Sequence, residues 1–414
     1  MGPAAASSDE QPPPRRFLVT AFGDPGHAFP AIALSRALAL RGHAVCMQTW
    51  ERWRGDVERE GVEFAPAPEY AVFPTGRDLT PYEAAVEATG QTAALVRSFD
   101  PDVVVSDILT AVGGLAAGME ERPFATLIPH VLPTSEAGLP PYSIGARLPR
   151  TRLGRRAWAL MQPLLRRGEL RGRDELNAAR ARVGLAPLDY THNGISRELA
   201  LVATFPQLEY PRRAWHPAFE VTGPLLWERP FADVELPPGD DPLVLIAPST
   251  SQDPRGLMIA AALEGLAGEP VRVIATTNRP GYPLPDAVPA NARVVDWLSY
   301  SRTMPRCAAV VCHAGHGTVA RALSCGVPVV GAPAAGDMAE NASRVAWAGC
   351  GASLPRRLVT PRGIRLAVRK VIAEPGYAAR ARELAEWSRA HGADERAARA
   401  LEAFASRSAA PNSL

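Results

Sequence analysis

Nine short apolar runs, each closing on a polar or glycine-bearing loop, constrain this chain more than any other feature. FLVTAF, HAVCMQ, PDVVVSD and PFATLIPH fall within the first 130 residues, and PLVLIAPS, VRVIATT, ARVVDW, AAVVCH and VPVVGAP fall after residue 240. Runs so continuously apolar and β-branched suit strands buried on both faces, and segments of helical spacing lie between them. That alternation builds parallel sheets covered by helices on both sides. The first two runs flank a GDPGH turn and the segment PAIALSRALALRG, an expected β-α-β unit with Pro30 in the first helical turn and Gly42 just past the helix end.

The expectation is an α/β chain of two doubly wound domains, which also suits a length of 414 residues. Residues 1–14 read as a disordered tail without the order of a secretory signal, 15–205 as the first domain and 206–240 as a Pro-rich connection. Residues 241–375 read as the second domain, and 376–414 as a helical segment packing back toward the first. Between Ile144 and Gly184 stand eleven arginines with Leu, Trp and Met at helical spacing. A solvated helix pair covering the domain is the expected reading; a basic membrane-surface helix is the alternative.

Charge narrows the function. Lys+Arg total 45 against 43 Asp+Glu, a net of +2, so no global field gathers a polyanion, and nucleic acid is excluded as the main partner. Lys370 is the single lysine; with abundant Ala, Gly and Pro, the arginine excess reads as compositional background. No apolar stretch approaches the ~20 residues of a membrane span. Cys46, Cys307, Cys312, Cys325 and Cys350 form no CxxC pair and no metal-ligand spacing, which suits free thiols in a reducing cytoplasm and no metal.

In open parallel sheets ligands bind beyond the carboxyl ends of the strands, so the polar residues just after each run are the candidates. In the first domain these are Asp24, His27, Asp107 and His130. His27, at a helix start that favours a neutral imidazole, reads as a general base or as a loop histidine bonded to backbone. Asp107 reads as its partner or as a helix cap, and accepting the other ring N–H would fix the tautomer. His130 is a candidate substrate contact. In the second domain, CHAGHGTVARAL brings a strand end, two glycines and Thr318 into a helix start, where backbone N–H groups receive phosphate. The following GAPAAGDMAEN offers Asp337, Glu340 and Asn341 to sugar hydroxyls, and Trp297 is placed to stack on a base.

GDPGHAFPAIALSRAL, then DW, HAGHGTVARALSCGVPVVGAP and GDMAENASRV, resemble the two halves of family 1 glycosyltransferases of the GT-B fold, above all the bacterial enzymes that decorate natural products such as macrolides, enediynes and aromatic polyketides. The resemblance covers nearly the whole chain. It implies an inverting, metal-independent O-glycosyltransferase with a nucleotide-sugar donor, no cofactor and an apolar small-molecule acceptor. His27 becomes the base and Asp107 its assistant. Ser249, Thr250, His313, Gly315, Gly317 and Thr318 would meet the diphosphate, Trp297 the base and Asp337 the donor sugar, with Phe29 and His130 toward the acceptor. Two departures stand out: Met338 replaces a common Gln, and Arg321 a common ribose-binding Glu. Both point to a dTDP-deoxysugar rather than UDP-glucose. A transferase acting on a lipid-linked acceptor and a non-catalytic sugar-nucleotide-binding protein are the competing readings, and a homodimer stays open.

Overall fold

The computed structural model describes residues 13–69, 81–190, 194–249, 253, 255–278, 281–285, 287–334 and 336–409. Residues 1–12 of the expected tail and Thr250 lie outside them. Two parallel sheets carry the chain. The first contains β1 (Arg16–Thr20), β2 (Ala44–Thr49), β3 (Glu63–Pro66), β4 (Val103–Asp107), β5 (Phe124–Ile128), β6 (Ala200–Val202) and β7 (Phe219–Val221), in the order β3-β2-β1-β4-β5-β6-β7. The second contains β8 (Leu243–Ala247), β9 (Arg272–Thr276), β10 (Ala292–Val295), β11 (Ala309–Cys312), β12 (Val329–Gly331) and β13 (Gly351–Ser353), in the order β10-β9-β8-β11-β12-β13. Strand order reverses between β1 and β4 and between β8 and β11. These two switch points are where such sheets open a crevice.

Helices α1 (Pro25–Leu40), α2 (Arg54–Arg59), α3 (Pro81–Phe99), α4 (Val112–Met119), α5 (Arg152–Leu160) and α6 (Gln162–Arg182) belong to the first half. The second half adds α7 (Leu257–Leu266), α8 (Tyr300–Thr303), α9 (His316–Ser324), α10 (Met338–Ala348), α11 (Pro361–Ala373), α12 (Pro375–His391) and α13 (Ala393–Ala409). α1 begins earlier than the apolar pattern implied. Asp24 supplies the carbonyl that receives the N–H of His27 and Ala28, at 2.9 and 2.8 Å, and Pro25 takes the helix start, leaving Pro30 inside the helix. The stretch 206–240 is not all connection, because β7 within it pairs with β6 and completes the first sheet.

The two halves share more than a linker. Val131, Phe205 and Leu208 of the first half sit in the same apolar cluster as Val319, Leu323 and Val345 of the second. α12 buries Ala381 and Leu384 in that cluster, whereas α13 crosses back and buries Leu401 and Phe404 against Phe17 and Leu34. Each such side chain contributes roughly 1.5–3 kcal/mol by leaving water. Glu402 of α13 fixes the crossing: it accepts Arg41 Nε at 2.6 Å and Arg41 Nη2 at 2.9 Å, and bonds His43 Nε2 at 2.7 Å.

Candidate active site

His27 and Asp107 flank the first switch point, His27 in the first turn of α1 after β1 and Asp107 as the last residue of β4. The register of the two strands, with Thr20 opposite Ser106, brings their carboxyl ends level. His27 Nδ1 lies 2.8 Å from Asp107 Oδ1, while Asp107 Oδ2 accepts the Phe22 N–H at 3.1 Å. Asp107 is 1% exposed, so its carboxylate is aimed by these bonds rather than solvated. With Nδ1 donating to the carboxylate, Nε2 is left as the basic nitrogen of the ring. Burial pushes the His27 pKa down, but Asp107, helped by Asp24 and Asp337, outweighs it and raises the pKa above 6.5. The helix start does not dominate here, because the charge of Asp107 is closer and fully buried.

His130 lies beside this pair, its ring centroid 6.3 Å from that of His27 and stacked 5.6 Å from Tyr142. Its Nδ1 donates to the Val131 carbonyl at 2.8 Å, and burial lowers its pKa, so it is a neutral neighbour of the base. Apolar space adjoins Asp107. A cavity of about 150 Å³ beside Asp107 is bordered by Ile108, Leu115, Phe124, Leu176, Leu188 and Tyr190.

At the second switch point the chain leaves β11 through His313 and Ala314, and enters α9 with Gly315 as cap. The first intrahelical bond is Val319 N–H to the Gly315 carbonyl, so the N–H groups of His316, Gly317 and Thr318 have no partner within the helix. A Cβ built on Gly315 or Gly317 meets nothing within 4 Å, so the loop has an open side that a ligand can approach closely. Ala314, fully buried, is held left-handed at φ 61°, and Asn341 Nδ2 clamps its carbonyl at 3.0 Å. Asp337 stands at the N-cap position of α10, and its charge favours the protonated forms of His27, His130 and His316 and disfavours ionisation of Tyr142.

Comparison with known proteins decides the family. The chain is 30% identical over 401 residues to the 4'-demethylrebeccamycin synthase of Lentzea aerocolonigenes, an alignment spanning 89% of this chain and 94% of that one. It belongs to the natural-product glycosyltransferases of the GT-B type. Residues 17–117 match the glycosyltransferase family 28 N-terminal domain, and residues 261–404 match the C-terminal domain described as erythromycin biosynthesis protein CIII-like. A rhamnosyltransferase of PGL/p-HBAD biosynthesis from Mycobacterium bovis BCG is 32% identical over 295 residues, covering 69% of this chain and 63% of that one. The kitacinnamycin glycotransferase superposes with a TM-score of 0.74 at 23% identity, covering 95% and 99% of the two chains. The glycosyltransferase VinC in complex with dTDP does so at 0.69 and 21%, covering 95% and 100%.

Within this glycosyltransferase several expected contacts are rearranged. Phe29, partly buried on α1, packs edge-on against Trp53 and Trp227, at centroid distances of 5.2 and 5.0 Å. Glu340 is drawn away from the donor by Arg344, whose Nε it receives at 2.8 Å. Asn341 spends its amide N–H groups on Ala314 and Asp337. His313 is locked rather than free: Nδ1 accepts the Ser249 N–H at 2.8 Å and Nε2 stands 3.4 Å from Asp253 Oδ2. Asp253 in turn receives the N–H groups of Leu257 and Met258, tying the loop after β8 to α7.

The remaining donor residues are placed as follows. Trp297 is 41% exposed and stacked on Phe231 of the linker, 5.6 Å between centroids, so one face is already covered. Met338 is buried on α10, and Arg321 stands 3.9 Å from Glu228. His316 went unweighed, although it stands in the same HAGHGT segment. Its Nε2 donates to the Ala203 carbonyl of the first domain at 3.3 Å, and burial, with His130 nearby, lowers its pKa to about 4.

Proposed function

We propose that the enzyme is an inverting, metal-independent O-glycosyltransferase that moves a deoxysugar from thymidine diphosphate to a hydroxyl of an apolar aglycone. The buried His27–Asp107 pair at one switch point, together with the helix-start amide groups of α9 at the other, carries this reading. His27 Nε2 takes the acceptor hydroxyl proton as its oxygen bonds to the anomeric carbon. The bond from that carbon to the diphosphate breaks on the opposite face, which inverts the centre. Asp107 stabilises the imidazolium that results. Charge leaving with the diphosphate is met by the N–H groups of His316, Gly317 and Thr318 and by the positive end of α9, so the reading assigns no metal.

The donor preference rests on two side chains. Arg321, engaged by Glu228, offers no carboxylate to a ribose 2′-hydroxyl, and Met338 offers a thioether where a hydroxylated sugar would want an amide. The neighbour VinC was crystallised with dTDP, and the neighbour SsfS6 with thymidine diphosphate. In a thermal-shift titration dTDP raises the melting temperature more than UDP does; stabilisation by UDP alone would overturn the donor assignment.

The glycine at position 317 gives an independent check on the phosphate site. Nothing within 4 Å opposes a Cβ there, so Gly317→Val leaves the melting temperature of the free enzyme nearly unchanged. The same side chain blocks the approach to the α9 amides, and the dTDP-induced shift disappears. A variant that kept the full dTDP shift would place the phosphates elsewhere.

A further inference from the structure

From Arg147 to Gly168 the chain carries seven arginines and no acidic residue. All seven are exposed, and none has an ion-pair partner among the described residues. Beyond that stretch the pattern changes at once: Arg171 pairs with Glu175 and Arg173 with Asp174. The unpaired arginines share their segment with apolar side chains in water. Leu153 is 77% exposed, Leu160 81% and Leu164 60%, and α5 buries none of its residues. Leu153 and Leu160 are seven residues apart and lie on one helix face. Met161, which joins α5 to α6, keeps helical dihedrals of φ −80° and ψ −12°, so Leu164 extends the same stripe.

The face continues onto the second domain. Arg147 and Arg150 line a groove of about 810 Å³ together with Arg362, Lys370, Trp347 and Leu366, and no acidic side chain lines it. Seven of the fifteen large hydrophobics exposed among the described residues fall on this segment or beside this groove. Scattered apolar residues on a surface need no explanation; such a concentration, interleaved with unpaired cations, does.

We propose that α5, the first turns of α6 and the adjoining groove form a docking face for an anionic lipid surface. The helix lies in the plane of the interface, Leu153, Leu160 and Leu164 enter the acyl boundary, and the arginines reach outward to lipid phosphates. Association is reversible and peripheral, since no helix among the described residues is long and apolar enough to cross a membrane. Charge decides against the other occupants. A second copy would bring seven unpaired cations against seven, and an acidic protein would satisfy the arginines while needing its own apolar stripe to cover leucines this exposed. The inference stands apart from the choice of sugar and acceptor, because none of these residues belongs to the catalytic machinery.

Co-sedimentation of the full chain with vesicles tests it. With phosphatidylcholine containing roughly 30% phosphatidylglycerol, in ~0.1 M salt, the protein pellets with lipid. Binding falls by at least about tenfold on pure phosphatidylcholine, in ~0.5 M salt, in Arg155→Glu/Arg156→Glu, and in Leu160→Ser. Melting temperature and dTDP shift stay unchanged in these variants, which separates lost docking from lost folding. No pelleting with the anionic vesicles overturns the proposal, as does equal binding to neutral ones. A dimer in light scattering that Leu160→Ser dissociates, or vesicle binding that the charge reversal leaves intact, overturns it as well.

Discussion

His27→Ala lowers kcat by on the order of 10²–10⁴ while the dTDP-induced thermal shift survives. The separation follows from geometry: His27 bonds Asp107 in the first domain, whereas the amides proposed to meet the diphosphate belong to α9 in the second. The pH profile carries the same signature. Only unprotonated His27 accepts a proton, so transfer is present above its pKa and lost as pH falls through it. Because Asp107 raises that pKa, the acid limb of kcat/KM has its midpoint above 6.5. Asp107→Asn removes the opposing charge and leaves burial in command. The midpoint then moves downward and the rate drops, since a neutral amide does not stabilise the imidazolium and, with its oxygen kept by the Phe22 N–H, turns its NH2 toward Nδ1 and disfavours the productive tautomer. Full transfer activity in His27→Ala, or an acid limb that Asp107→Asn does not move, would sink the assignment of the base.

Much of this site was readable before any coordinates because it depends on chain order. A parallel strand ends, a loop follows, and the loops at a switch point meet whatever else the chain does. His27 follows one long apolar run by a single turn and Asp107 ends another, so the pairing at 2.8 Å needed only strand order to be inferred. Strands β3, β6, β7 and β13 escaped for the opposite reason. They are three or four residues long, and GAS and FEV carry too little apolar pattern to stand out. β13 owes its place to β12, against which Gly351 lies so closely that a Cβ would sit 1.9 Å from the Val329 carbonyl oxygen.

The surroundings of side chains with remote partners were not legible in the sequence. Phe29 is apolar and one loop from the site, yet Trp227, almost two hundred residues later, claims it. Glu340 stands three residues from Asp337 and looked equally available to a sugar. Its fate is decided by Arg344 and by Glu209, which comes from the other side of the cleft. Spacing along the chain identifies what a loop offers. Packing determines which of those groups remains free.

That cluster is the seat of α10, and removing its cation is expected to cost more stability than any surface substitution. Arg344 is 3% exposed; it donates to Glu209 Oε2 at 3.1 Å, to the Leu208 carbonyl at 2.9 Å and to Glu340 Oε1 at 2.8 Å, with its guanidinium over the Tyr210 ring. Glu209 is already committed to the first domain through the Leu132 N–H, and Ser343 Oγ donates to the Gly145 carbonyl one turn away. Arg344→Ala leaves two carboxylates buried without their cation, a loss of about 3–5 kcal/mol. Arg369→Ala, which removes an exposed guanidinium from its pair with Glu269, costs far less, so urea midpoints of the two variants should differ widely. The deficit also depends on pH. Burial already raises the Glu340 pKa against the pull of Arg344, and without the arginine the folded form binds a proton more tightly still. A group whose folded pKa is raised stabilises at low pH and loses that contribution as pH rises, so the variant lags the parent further at pH ~8 than at pH ~5. Since Asp337, proposed to hold the donor sugar, stands at the N-cap of α10, loosening the seat of that helix also raises the KM for the donor sugar nucleotide. Arg344→Ala denaturing at the same urea concentration as Arg369→Ala would show that the two domains hold α10 by apolar contact alone.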